Sequence, residues 1–467
     1  MSITKRALRG AFWTAIVKYF GFFITFIGNL WLARLLVPED FGIMALALSV
    51  VEIIFIVSGL GIAQACIHLQ REPDVFDTGH LIAWGISIGL SVIAITATII
   101  LQKMSLYSST VIIFIFCIAV VKILSIPTTI YLASLDRDLF FRRGAFISII
   151  GPVFGILIAL FLAINGRGVW SLLWKQIVTI TLAFLTAFYF SSHVFRLNFN
   201  KSTAVKIIKY SINMFLQRLA QILNNRLPNI ILGAMGGTGI LGFYERSKYL
   251  AQLQNSAVNP FFGKIAFATY SKVKNNKVKV SRGLELNLFW ILRIGVLTGI
   301  LVLFFPKLII ATVLGSQWAE ASEYLRGLSG FIIANSFLGP LSSALFAAGI
   351  IFPITLSRII ATCIVLVGLF TAWYLGDKWF LVSWFFSLGM IQAALIALIV
   401  SKRHKLSINW AKIIKLPVYL TIISVIVFLV SRSYLEWKVL LCISCIWILS
   451  IIFIDRKQIK DLISKLK

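Results

Sequence analysis

Apolar residues run along this chain in blocks of about 20 separated by short polar connections, the length a helix needs to cross a bilayer. The pattern predicts an all-α polytopic membrane protein with about fourteen spans. Their limits are 11–36, 41–67, 80–102, 107–132, 144–164, 168–190, 208–235, 239–266, 283–305, 322–348, 352–375, 379–400, 412–431 and 435–454. Pro38-Glu39-Asp40 ends the first span, and Asn165-Gly166-Arg167-Gly168 separates 144–164 from 168–190. Two stretches, 133–144 and 306–321, read as amphipathic elbows at an interface.

Two adjacent spans interrupt the apolar pattern in a regular way. The first carries Arg218, Gln221, Asn225 and Asn229 on one helical face. The second carries Glu245, Lys248, Gln252, Asn255 and Asn259, again in one stripe. Charged groups at bilayer depth are costly unless they face a bundle interior or a watery cavity. The stripes therefore predict a water-accessible cavity, and the Gly236-Gly237-Thr238-Gly239 turn between them is its hinge.

A shift of about 200 residues lays Lys18 on Arg218, Thr25 on Asn225, Asn29 on Asn229 and Gly42 on Gly242. At a shift near 213, Pro127 falls on Pro340 and Lys122 on Asn335. This internal repeat predicts a six-helix lobe over 1–200 and a second over 201–405, facing each other across a central cavity. Residues 406–467 then add two further helices and a basic tail.

Composition agrees with the pattern. Of 467 residues, 60% are hydrophobic, and the mean hydropathy is +0.96, whereas soluble domains are about 45–50% apolar. The net charge of +28 does not indicate nucleic acid, because the basic residues cluster in alternate short loops, where they set topology. One set of loops holds Arg71, Arg137, Arg142, Arg143, Arg196, Lys201, Lys206, Lys272, Lys402 and Arg403. The opposite set holds little beyond Lys103, Arg167, Lys307, Lys378, Arg432 and Lys438. The positive-inside rule then puts both termini in the cytoplasm.

The five cysteines, Cys66, Cys117, Cys363, Cys442 and Cys445, lie in or beside apolar segments and read as small buried hydrophobes, with no metal spacing. His68, His80, His193 and His404 stand near expected cytoplasmic ends without catalytic partners at motif spacing. The sequence thus predicts neither an enzyme nor a cofactor or metal site.

The stretch NLWLARLLVPEDFGIMALALSVVEI, with GLGIAQACIHLQRE after it, resembles polysaccharide-export flippases of the Wzx type, the colanic-acid and O-antigen exporters. GILGFYERSKYLAQL, NPFFGKIAFATYSKV and VLGSQW at Val313–Trp318 extend the resemblance over most of the first 350 residues. The chain departs from the family at Glu245-Arg246-Ser247-Lys248-Tyr249, where relatives often read NLAYN. The resemblance implies the multidrug/oligosaccharidyl-lipid/polysaccharide flippase fold in the bacterial inner membrane. It also implies transfer of an undecaprenyl-diphosphate-linked oligosaccharide between leaflets, alongside polysaccharide polymerase machinery.

The residues fit such a cargo on physical grounds. A diphosphate does not cross hydrocarbon unaided, and Arg or Lys in a watery cavity supplies charge-assisted hydrogen bonds to it. The embedded cations are Lys18, Lys122, Arg218, Arg226 and Lys248, with Arg326 a weaker candidate, while Asn29, Gln221, Asn225 and Gln252 suit sugar hydroxyls. Glu52 and Glu245 are the embedded groups able to couple transport to an ion gradient.

Each assignment has a rival. Glu245 and Lys248 also fit a neutralising helix pair, and Arg226 also fits a partner for carbonyls freed by Pro228. Lys18 and Arg218 also fit snorkelling to the cytoplasmic face. As whole functions, a multidrug antiporter of the same superfamily needs an acidic cavity, and this one is basic. A membrane-embedded polymerase or ligase needs a catalytic outer loop, which 306–321 does not supply.

Overall fold

The computed structural model describes residues 3–404 except 57–60, 70, 71, 73, 139, 192, 194 and 273–276, together with a few positions between 408 and 422. The side chains of 3–15, 212–214, 217, 257–280 and 347 also lie outside this description. Apart from those few positions, the spans expected at 412–431 and 435–454 therefore lie outside the described residues, as does the side chain of Asn259.

The described chain is helical throughout. In order, the helices are α1 (Ile3–Leu35), α2 (Pro38–Ile54), α3 (Ile62–His68), α4 (Val75–Lys103), α5 (Ser109–Lys122), α6 (Ser125–Arg137), α7 (Phe141–Ile164) and α8 (Trp170–Phe190). There follow α9 (Lys201–Met235), α10 (Thr238–Lys272), α11 (Lys277–Phe304), α12 (Pro306–Val313), a 3-10 turn at Ser316–Trp318, α13 (Ala321–Gly327), α14 (Ser329–Ala347), α15 (Phe352–Tyr374) and α16 (Leu381–Arg403).

Among the described residues, 9 segments are long and apolar enough to span a membrane. The expected spans missing from that set are the ones carried by α2, α9 and α10. Polar stripes dilute the last two. The first is interrupted: α2 stops at Ile54, and α3 begins after Gly61, which holds a left-handed backbone (φ 71°). The 133–144 elbow is instead the end of α6 and the start of α7. The 306–321 elbow is a string of short turns around the fully buried Trp318.

Two further spans are broken, by the same device. Pro127 has no amide hydrogen, and its ring crowds the carbonyl four residues back, at Ile123. The helix divides there into α5 and α6, and the Ser87 hydroxyl on α4 donates to the freed Ile123 carbonyl at 2.6 Å. In the 322–348 span the break lies between α13 and α14. Here Ser387 on α16 donates to the Gly327 carbonyl at 2.6 Å and accepts from the Phe331 amide at 2.9 Å. Backbone groups freed inside a membrane must find protein partners, and a serine hydroxyl from another helix reaches each break.

Packing divides the chain into two compact units, Met1–Glu245 and Arg246–Lys467. In the first, α7 lies between α1 and α8, while α2 packs against α5 and α9. Thus α9, which the sequence places at the head of a second lobe, packs against α2, α3 and α4. In the second unit α16 is central, touching α13, α14 and α15.

Within the first unit the starts of α2 and α10 cross backbone to backbone. A Cβ on Gly42 would run into the Thr238 carbonyl, and one on Gly242 into the Pro38 carbonyl. The contact is reciprocal at the 200-residue shift: residue 38 meets 242 as 238 meets 42. Only glycine allows two helices to approach this closely.

Candidate functional site

The α5 break has a consequence for charge. Lys122 is the last residue of α5, and Glu52 lies near the end of α2. Both helices begin on the same side, so both side chains stand about 20 Å along their helices from that side. They meet there: the Lys122 ammonium lies 3.9 Å from one Glu52 oxygen. The other oxygen accepts from Arg226 Nε of α9 at 2.7 Å. All three side chains are only 15–29% exposed.

The network continues along α9. Asn229 Nδ2 donates to Ser49 Oγ at 3.0 Å and to Glu245 Oε1 at 2.8 Å, and the field of Glu245 also reaches Arg226. One helical turn or more away, Arg218 is exposed and donates to its own-helix amide Gln221 at 3.2 Å. Arg226 and Arg218 both stand near enough to repel the Lys122 ammonium. No carboxylate among the described residues pairs with Arg218. Lys122, Arg226 and the two carboxylates form a half-buried cluster, and the exposed Arg218 beside it brings the cations to three against Glu52 and Glu245.

The remaining predicted residues are placed as follows. Lys18 is half-buried at the middle of α1. Asn29, also on α1, donates to the Thr25 carbonyl at 2.6 Å and accepts from Lys175 Nζ at 2.6 Å. Asn225 and Gln252 are half-buried. In the second unit, Lys248 is buried, 4% exposed, with its ammonium 5.1 Å from the Phe386 ring centre. Arg326 forms a helix-surface pair with Glu323 at 3.0 Å.

Sequence reasoning missed Lys175 and Ser49. Lys175 had a signal, a lysine inside the apolar run WSLLWKQIV, but no stripe accompanied it. Ser49 had none, since serines on apolar helices usually bond their own backbone, as Ser49 also does to Ala45.

The family described as "Polysaccharide biosynthesis protein" matches residues 31–323. The chain is similar to the succinoglycan biosynthesis transport protein ExoT of Rhizobium meliloti (strain 1021), 25% identical over 77% of this chain and 73% of that protein. It is also similar to the lipopolysaccharide biosynthesis protein WzxC of Escherichia coli (strain K12), 20% identical over 74% of this chain and 71% of that protein. Among solved structures, the lipid II flippase MurJ in an inward closed conformation superposes with a TM-score of 0.73 at 14% identity, covering 96% of this chain and 99% of that one. An inward-facing multidrug transporter of the MATE family superposes with a TM-score of 0.61 at 13% identity, covering 84% and 98%.

Proposed function

Because the chain belongs to the polysaccharide biosynthesis protein family and folds as a multi-pass helical membrane protein like a solved lipid flippase, we propose that it is itself a flippase. Its cargo in this reading is an oligosaccharide repeat unit on a polyprenyl diphosphate, undecaprenyl diphosphate in bacteria. The unit passes across the cytoplasmic membrane for assembly of a surface polysaccharide. Transfer proceeds by alternating access, with both termini in the cytoplasm.

The observation that carries the reading is the excess of cations at mid-membrane. Lys122 and Arg226 both pair with Glu52, and Arg218, which donates to the Gln221 amide, has no carboxylate partner among the described residues. Such a cluster suits an anion, since an embedded positive charge gains most from a negative partner that arrives with its own water stripped. The same feature disfavours an exporter of cationic drugs.

The test uses proteoliposomes carrying a fluorescent polyprenyl-diphosphate sugar, with leaflet position read by quenching. Arg218 is the midpoint of α9, about 25 Å from either end, too deep to be a loop charge. Arg218→Gln should reduce transfer by about tenfold or more, the value of one charge-assisted hydrogen bond, with membrane insertion intact. Arg218→Lys should keep part of the activity because the charge survives while the bidentate fork is lost. Lys378→Gln, an exposed loop control, should transfer normally. Normal transfer by Arg218→Gln would remove this residue from phosphate binding.

A further inference from the structure

The connection between α8 and α9 has two unlike sides. One is fastened to the first turn of α4. Asp77 Oδ1 accepts from His193 Nε2 at 2.8 Å and from the Arg196 amide at 2.9 Å. Thr78 Oγ1 accepts from the Asn200 amide at 3.1 Å, and Asn200 Oδ1 in turn caps α9 at the Thr203 amide, 3.2 Å away. Both α4 side chains are buried, so this clasp is set into the packed interior. Two more contacts hold the start of α9. Lys206 pairs with Glu72 at 2.8 Å, and the Tyr210 ring stacks on His68 with centres 4.7 Å apart.

The other side is open. Leu197 is 84% exposed, and Phe199, Val205 and Ile208 are 51–58% exposed. Interleaved with them are Arg196, Lys201 and Lys209, all exposed. Around α9, Ile208, Lys201, Val205 and Lys209 fall within about 100° of each other. Thr203, Ala204, Ile207 and Ser211 are buried on the other side of the helix. Unlike Lys206, the three cations Arg196, Lys201 and Lys209 have no carboxylate partner among the described residues.

Helix length fixes the level of this surface. With 35 residues, α9 is about 52 Å long against about 30 Å of hydrocarbon. Centred on the bilayer, it passes the hydrocarbon by about 11 Å, roughly seven residues, at each end. Residues 201–207 then lie at headgroup level. The 29 residues of α4 overhang by about 7 Å in the same way, which puts Asp77 and the clasped connection at the boundary too. Open apolar side chains flanked by cations at that level match a lipid surface. The apolar groups bury among the acyl chains, and the cations meet phosphate.

We propose that residues 195–209 form an interfacial anchor that binds anionic lipid on the side where α8 ends and α9 begins. Leu197, Phe199, Val205 and Ile208 enter the acyl boundary, while Arg196, Lys201 and Lys209 hold headgroup phosphates. The anchor is independent of the cargo. It seats the start of α9, the helix that also carries Arg218 and Arg226.

The experiment reads the position of the segment without reading transport. In a background lacking the native cysteines, Asn198→Cys carries an environment-sensitive fluorophore between Leu197 and Phe199, at an exposed position. The full chain is reconstituted in phosphatidylcholine with or without phosphatidylglycerol. Quenching is measured with lipids brominated near the headgroup and with iodide in the water. Brominated lipid should quench and iodide should not, and phosphatidylglycerol should strengthen the contrast. Lys201→Gln with Lys209→Gln should lower the ratio of seated to free segment by about fivefold per lysine in phosphatidylglycerol membranes. High salt should do the same to the protein with both lysines intact, because it screens headgroup charge. Leu197→Ser with Phe199→Ser should raise iodide quenching in both lipids.

Quenching by iodide alone would place the segment in water and overturn the anchor. Quenching by brominated lipid that ignores both phosphatidylglycerol and salt would overturn the anionic partner, and with it the proposal. A lysine double variant that responds to phosphatidylglycerol as the parent does would have the same result. The salt and lipid comparisons need no substitution in the anchor, so a misfolded variant cannot decide the matter. Failure of the flippase reading leaves every one of these outcomes unchanged.

Discussion

At the scale of single residues, Glu52 holds the cluster together. Its two oxygens go to different cations, Arg226 at 2.7 Å and Lys122 at 3.9 Å, so removing its charge leaves a guanidinium and an ammonium side by side without the carboxylate between them. Glu52→Gln should destabilise the protein by about 1–3 kcal/mol, less than a fully buried pair because the carboxylate keeps some exposure. Thermal melts in detergent would show it. Affinity for farnesyl diphosphate should rise in the same variant, since the internal anion no longer competes. A variant that loses stability without gaining affinity would make Glu52 a scaffold residue only. The sequence displayed Glu52, Lys122 and Arg226 as embedded charges. It gave no means of pairing residues 52, 122 and 226, because that needs three helices folded together.

At the scale of elements, local chemistry announces where a helix can yield, and tertiary contact supplies what makes yielding tolerable. Pro127 is visible in the sequence, but Ser87, which satisfies the Ile123 carbonyl at 2.6 Å, comes from another helix. Pro228 shows the contrast, since α9 runs through it to Met235 without ending. The crossing of α2 and α10 gives a sharper test. Gly42→Ala and Gly242→Ala each force a methyl into an opposing backbone carbonyl and should cost about 1–3 kcal/mol or more. Gly239→Ala, three residues before Gly242 with open space around its Cβ, should be neutral or slightly stabilising. Melting temperatures of the three variants decide it. Equal behaviour would mean that the crossing relaxes freely. The pairing of Gly42 with Gly242 was readable as a repeat, but the reciprocity of the contact was not, because a repeat fixes correspondence rather than contact.

At the scale of the molecule, loop charge and hydropathy set the topology to be tested. In a background lacking the five native cysteines, Arg167→Cys should react with a membrane-impermeant maleimide in intact cells. Lys402→Cys should react only after permeabilisation. The reverse pattern would invert the proposed orientation.

The apolar blocks and polar stripes were legible in the sequence because hydropathy and helical period are local properties, settled within about 20 residues. On that basis the sequence alone determined a polytopic helical membrane protein with cations at depth. Tertiary structure decided which of those charges meet. It joined Lys122 and Arg226 on Glu52, took Asn229 to Ser49 and Glu245, and set Lys175 on Asn29. It also split the spans at Pro127 and Gly327 against serines from other helices. Those outcomes depend on which helix lies beside which, and a charge inside a bilayer takes its partner from the neighbouring helices.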